Sequence, residues 1–241
     1  MFRDKKVFIF DLDGTLSESK RPVDSEMAKL IAGLTRGRSV AIIGGGKLPV
    51  FKKQLLIPLS KTRANLDDLY LFPTNGAAFY RHKKGWRPVY RKTLSMADIR
   101  RVLMSFKSLG ISGRVLENRK TQITYSALGQ RAPLPLKKKW NRTSDDRPRI
   151  VGKLKRLLPG FEIRIGGLTS IDVTKKGIDK GYAIIRFLKS FRFRKNEAIF
   201  FGDAIFPGGN DYSAKKAGIR CVKVSGPNEL KKILRKTLKT Q

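Results

Sequence analysis

A short run of β-branched and aromatic residues, Lys6 to Phe10, stops abruptly at Asp11-Leu12-Asp13-Gly14-Thr15. The run reads as a buried strand that delivers two acids at its C-terminal end. Further apolar strands are expected at Ser39 to Ile43, Leu69 to Phe72, Ala198 to Gly202 and Cys221 to Val224. Helical patterns separate them near Ser25 to Leu34, Leu48 to Leu59, Gly181 to Leu188, Asp211 to Ala217 and Asn228 to Leu238. Alternating strand and helix imply an α/β fold, a Rossmann-like parallel sheet that binds ligands at its carboxyl edge.

The middle of the chain has another rhythm. Strand-like pieces occur at Ala77 to Arg81, Arg87 to Tyr90, Arg114 to Glu117, Gln122 to Ser126, Phe161 to Ile165 and Ser170 to Val173. Two helices interleave with them. Met96 to Leu109 opens on Ser95 with Asp98 three residues later, as in a capping box, and Pro148 to Leu158 closes at Pro159-Gly160. The pattern predicts an inserted α+β unit over residues 82–177, with 1–81 and 178–241 forming one discontinuous core.

Composition narrows the chemistry. The 241 residues hold 53 Lys plus Arg against 19 Asp plus Glu, a formal charge of +34, and 40% of them are hydrophobic, enough for a real core. A single cysteine, Cys221, and a single histidine, His82, exclude an internal disulfide, a Cys-rich zinc site and a multi-histidine metal centre. Any metal must be held by oxygen. No apolar run approaches a membrane span, and Val7 to Phe10 is too short for a signal-peptide core, so a cytoplasmic protein is expected. Bases cluster at Lys137 to Lys139, Lys153 to Arg156, Arg192 to Lys195 and Lys231 to Lys239, the last spaced as a solvated helical face. Nucleic-acid binding, where it occurs, should be non-specific phosphate contact.

Two acids two residues apart at a strand end suit a division of labour. One carboxylate attacks an electrophile while the other donates and accepts protons. A second acidic pair reinforces this reading, because Phe201-Gly202-Asp203 ends another strand and Pro207-Gly208-Gly209-Asn210-Asp211 follows in a glycine-rich loop. Four acids at two strand ends make an oxygen-ligand magnesium site.

These residues resemble the haloacid dehalogenase-like phosphotransferases, whose first motif is matched by Asp11-Leu12-Asp13-Gly14-Thr15-Leu16. Gly177-Ile178-Asp179-Lys180-Gly181 is similar to the third motif, and Gly202-Asp203 with Gly208-Gly209-Asn210-Asp211 to the fourth. The long Asp203–Asp211 spacer, Gly166 to Val173 and Phe72-Pro73-Thr74-Asn75-Gly76 are similar to the eukaryotic-type phosphomannomutase branch. The resemblance implies Asp11 as the nucleophile that becomes an aspartyl phosphate, Asp13 as general acid and base, and Lys180 as the neutralising cation. It implies Mg²⁺ held by Asp11, Asp203 and the Asp13 backbone carbonyl, supported by Asp211. Substrate contacts would come from Gly44, Gly45, Arg119, Gln130, Ser170, Asp172 and Asn210, and the inserted unit would be a type IIB cap, through which such proteins can form homodimers.

Two departures stand out. The second family motif carries a Ser or Thr, whereas Ile43-Gly44-Gly45-Gly46-Lys47 has no hydroxyl; a nest of glycine amides would have to replace it. The branch holds the distal phosphate of a sugar bisphosphate with cap arginines. Arg119 matches one, but Gln130 stands where another is expected, with Arg131 or Lys137 as compensation. Three readings therefore stand: a phosphomannomutase-like phosphotransferase acting on a phosphorylated sugar, a sugar-phosphate phosphatase, and a basic nucleic-acid-binding protein on the same fold.

Overall fold

The computed structural model describes residues 2–239. In chain order the elements are β1 (Val7–Asp11), α1 (Ser25–Leu34), β2 (Ser39–Ile43), α2 (Leu48–Phe51) running through a π turn (Lys52–Leu56) into α3 (Ile57–Leu59), β3 (Leu69–Phe72), β4 (Ala78–His82) and β5 (Trp86–Arg91). There follow α4 (Met96–Lys107), β6 (Leu116–Asn118), β7 (Ile123–Ser126), α5 (Leu134–Thr143), α6 (Arg147–Leu157), β8 (Phe161–Gly166) and β9 (Ser170–Lys175). The chain ends with α7 (Lys180–Ser190), β10 (Ala198–Gly202), α8 (Tyr212–Lys216), β11 (Arg220–Lys223) and α9 (Pro227–Leu238).

Among the described residues the strands form two sheets. The larger has the order β11-β10-β1-β2-β3-β4-β5, parallel from β11 to β3 and antiparallel across β4 and β5. β1 lies between β10 and β2 and is buried along its whole length. Its alternate residues feed two cores, as the two-residue period of a strand requires. Phe8 and Phe10 pack with Met27, Ile31, Leu55, Leu230 and Leu234 on one side. Val7 and Ile9 pack with Ala183, Ile184, Phe187 and Ala214 on the other. Helices thus cover both faces, and the strand ends at Asp11, Ile43 and Gly202 share one edge.

The smaller sheet, β6-β7-β9-β8, is antiparallel throughout. One of its faces is apolar: Ile123, Tyr125, Ile171 and Val173 pack against Val102 and Phe106 of α4 and Ile150 and Leu154 of α6. Intervening residues Gln122, Thr124, Ser126, Ser170 and Asp172 form a polar face. Ser95 and Asp98 form the expected capping box at the start of α4.

The larger sheet takes in more chain than the sequence pattern predicts. Trp86–Arg91, expected within the inserted unit from residue 82, pairs instead with β4 through a turn at Lys83–Gly85 and becomes the edge strand of the large sheet. Its exposed outer residues look like those of any edge strand, so the sequence pattern carries no sign of which sheet receives it. A third helix of this region, α5, is absent from the sequence reading, because Leu134 to Thr143 begins among prolines and buries a lysine, Lys137, rather than an apolar stripe. Trp86 packs against the large core, and the Arg147 guanidinium lies 5.4 Å from the Trp140 ring centre. His82 faces Asp67 at 2.9 Å near the sheet edge. No described helix is long and apolar enough to cross a membrane.

Candidate active site

Asp11 ends β1, and Lys180 begins α7 beside it. Asp179 caps that helix by accepting the Tyr182 amide, which fixes the first turn and aims Lys180 back into the sheet edge. The Lys180 ammonium donates to Asp11 Oδ1 at 2.5 Å and to Asp211 Oδ1 at 2.6 Å, and its side chain is only 1% exposed. Oxygens of Asp11, Asp203 and Asp211 lie within 4.8 Å of one another.

Three acids around one lysine leave unbalanced negative charge. Burial, together with Asp211 and Asp203, pushes the Asp11 carboxyl well above its ordinary range despite Lys180. Asp203 is raised by burial and by Asp211. Burial works against the Lys180 ammonium, but Asp11 and Asp211 outweigh it and hold the lysine above its usual value. An all-oxygen donor set with surplus charge fits a hard divalent cation. Asp211 has both oxygens engaged, Oδ1 by Lys180 and Oδ2 by the Ala204 amide at 3.0 Å, so it backs the cluster; Asp11 is buried as well, and Asp203 is the most exposed of the three. Gly14, in the left-handed region at φ +92°, is required here: a Cβ would stand 2.5 Å from Asp203 Oδ2.

Asp13 lies beside this cluster, near enough to Asp203 to raise that carboxyl slightly further, but is not one of the three grouped acids. Its Oδ1 accepts the Lys20 amide at 2.6 Å and the Gln54 Nε2 at 3.0 Å. Asp11 thus meets an ammonium, whereas the donors to Asp13 are two neutral amides.

The glycine loop after β2 does not form the expected nest. None of Gly44, Gly45 and Gly46 is in the left-handed region, and their carbonyls are engaged by the Asn75 amide, by Arg119 and Gln122, and by the Thr74 amide respectively. Close packing explains the missing side chains. A Cβ on Gly44 would meet the Phe51 ring, one on Gly45 would meet Asp172 Oδ2 at 3.2 Å, and one on Gly46 would meet Val50 at 2.9 Å.

The polar face of the small sheet closes onto this loop. Asp172, fully buried with its carboxyl raised by burial, accepts from Gln122 Nε2, Thr124 Oγ1 and Asn75 Nδ2, each at 2.8 Å. Arg119 reaches the Gly45 carbonyl and also pairs with Glu117, which in turn meets Lys47 at 2.7 Å. Thr74 and Thr121 hydroxyls meet at 2.8 Å. Thr74 and Asn75 both have positive φ, 53° and 54°, a strained turn held from both sides. Between Asn75, Asp172, Lys180 and Asn210 a cavity of about 10 Å³ remains, room for one water. Ser170 lies farther along the same face, 3.2 Å from the Ser126 hydroxyl.

Gln130 lies across the seam from the large sheet. Its side-chain oxygen accepts from Lys20 Nζ at 2.6 Å, and its carbonyl accepts from Lys20 at 3.1 Å and from the buried Lys137 at 3.0 Å. Burial and the adjacent Lys137 pull the Lys20 ammonium down to about 8. Two lysines converging on one neutral residue make an anion-seeking spot.

Lys20, Gln54, Asn75 and Gln122 escaped the sequence reading. Lys20 is one base among 53, and Asn75 lay in a quoted motif without a role. Gln54 left a trace, a lone amide within the apolar helical pattern Leu48 to Leu59.

Comparison with known proteins agrees with this geometry. Residues 27–240 match the eukaryotic phosphomannomutase family. The chain is 30% identical over 219 residues to a phosphomannomutase of Spinacia oleracea, covering 86% of this chain and 84% of that one. It is 29% identical over 232 residues to a phosphomannomutase of Encephalitozoon cuniculi, covering 88% and 85%. The IMP-bound, N-terminally truncated IMP-nucleotidase of Plasmodium falciparum superposes with a TM-score of 0.72 at 15% identity, over 98% of this chain and 68% of that one, a likeness of fold. With motif acids, lysine and paired sheets in these positions, the chain belongs to the eukaryotic phosphomannomutase family and is an enzyme of the haloacid dehalogenase fold.

Proposed function

We propose that the protein transfers phosphoryl groups on a hexose phosphate through an aspartyl phosphate on Asp11, in the manner of a phosphomannomutase. The observation that carries the reading is the Lys180 ammonium 2.5 Å from Asp11 at the carboxyl edge of the sheet. An oxygen of Asp11 attacks phosphorus, the sugar O–P bond breaks, and the leaving sugar oxygen takes a proton from Asp13. The acceptor hydroxyl of the second transfer returns its proton to Asp13. Asp11, Asp203 and the Asp13 carbonyl would hold Mg²⁺, with Asp211 behind them; when bound, the ion offsets charge on the phosphoryl oxygens.

The small sheet with α4, α5 and α6 acts as the lid. Its polar residues touch the glycine loop and leave no room for a sugar, so it must swing away to admit substrate and close again to exclude water. Lys20 and Lys137 supply charge for a second phosphate where Gln130 itself has none. Ser170, Asp172 and Asn210 line the sugar side. Exposed Met96 and Met104, bordering an apolar groove with Ile99, Leu103 and Leu116, support a homodimer through the lid. A cytoplasmic location suits phosphorylated sugars as substrates.

One observation favours hydrolysis as a second reading. Arg119 is spent on Gly45 and Glu117, and Gln130 is neutral, so grip on a distal phosphate rests on two lysines. The deciding experiment incubates the protein with Mg²⁺ and mannose 1-phosphate, with and without a hexose 1,6-bisphosphate. Mannose 6-phosphate that depends on the bisphosphate supports the mutase; release of inorganic phosphate alone makes the enzyme a phosphatase. Absence of both returns the chain to the nucleic-acid reading.

A further inference from the structure

Gln54 is 2% exposed and lies on the π turn Lys52–Leu56, between Phe51 and Leu55, which are wholly buried. A single π turn displaces the helical register by one residue, and such turns concentrate at functional sites. Gln54, three residues after Phe51 and next to Leu55, sets an amide into an otherwise apolar buried face. Nε2 donates to Asp13 Oδ1 at 3.0 Å and to the Arg21 carbonyl at 3.1 Å, and the Gln54 backbone carbonyl accepts the Val23 amide at 2.8 Å. Both side-chain neighbours are acceptors, so the nitrogen must face them; this fixes the orientation of the amide. Oε1 is left buried without a partner among the described residues, an arrangement that works against folding.

We infer that Gln54 is a positioning residue for Asp13: with the Lys20 amide it clamps Oδ1, so that Oδ2 alone carries the proton exchanged with the substrate oxygen. This rests on the reading of Asp13 as general acid and base. Two donors converging on one oxygen restrict rotation of the carboxyl group, which a single donor would leave free to swing. A displacement of about 1 Å in such a group is enough to slow a reaction roughly 10²-fold.

The test compares Gln54→Leu, apolar and similar in volume, with the unmodified enzyme on two esters in Mg²⁺. A hexose 6-phosphate expels an alkoxide that needs a proton, whereas p-nitrophenyl phosphate expels a phenolate that does not. The inference expects kcat/KM, which covers only formation of the phospho-enzyme and release of the leaving group, to fall about 10- to 100-fold on the hexose ester. On p-nitrophenyl phosphate the fall should be a few-fold at most, and the melting temperature should stay near that of the parent. Hydrogen exchange at the Lys20 amide, read by NMR without substrate, should quicken as Asp13 loosens. Gln54→Met fills the same space and should repeat the result if the leucine variant folds poorly. Equal losses on the two esters would mean a structural role and overturn the inference. If the parent neither hydrolyses the two esters nor isomerises the hexose ester with a hexose 1,6-bisphosphate present, the reading of the active site is wrong, and unchanged exchange at Lys20 then overturns the clamp as well.

Discussion

Lys180 is the counter-charge on which the buried acids depend. Removing one partner of such a cluster leaves charge uncompensated, at a typical cost of about 3–5 kcal/mol. Lys180→Met should therefore melt well below the parent without divalent ions, and added Mg²⁺ should raise its melting temperature more than it raises the parent's, because the ion then neutralises more of the cluster. An equal gain in both proteins would place the ion elsewhere. Asp11→Asn should keep the fold and abolish turnover, since an amide forms no acyl phosphate; residual steady-state activity in a well-folded variant would remove Asp11 as nucleophile. The motif acids and lysine were legible in the sequence because each closes an apolar strand or opens a helix. Asn75, Gln122 and Lys20 were not, since their roles arise from the meeting of two sheets whose relative placement no local pattern encodes.

Elements set how these side chains meet. Strands and helices of the large sheet were readable from their periods, but the assignment of β5 to that sheet, the π turn and α5 were not, because pairing partners and helix register depend on tertiary packing. The Lys47–Glu117–Arg119 tie joins the glycine loop to β6. Burial works against the Glu117 carboxylate, yet Lys47 and Arg119 hold its carboxyl below the ordinary value of 4.5. A depressed carboxyl contributes stability above that ordinary value and loses it as pH falls through the folded one. Glu117→Gln should thus be less stable than the parent near neutrality, by about 1 kcal/mol for a partly buried carboxylate still screened by solvent, with the difference in melting temperature vanishing in acid. A difference that persists in acid would mean that the glutamate acts by packing.

At the scale of the whole molecule, a charge of +34 and a two-lysine grip on Gln130 pull in separate directions. Binding to duplex DNA should be weak and indifferent to sequence, its log affinity falling by roughly 0.9 per neutralised phosphate with log salt. Tight, sequence-selective binding at high salt would contradict this. Gln130→Arg should raise the ratio of isomerised sugar phosphate to free phosphate, as a forked cation grips a second phosphate that glutamine leaves to lysines. An unchanged ratio would free the lid of that role. The strand order has a consequence for biosynthesis. β1, at the middle of the large sheet, leaves the ribosome well before its neighbour β10 and the acids Asp203 and Asp211, which emerge nearly two hundred residues later. Throughout that interval a strand of Val, Phe and Ile has one edge without its partner, a template for pairing with other chains. The edge of β1 is therefore covered and the active site completed in the same late event, and a messenger truncated before β10 should yield an aggregation-prone chain rather than a weakened enzyme.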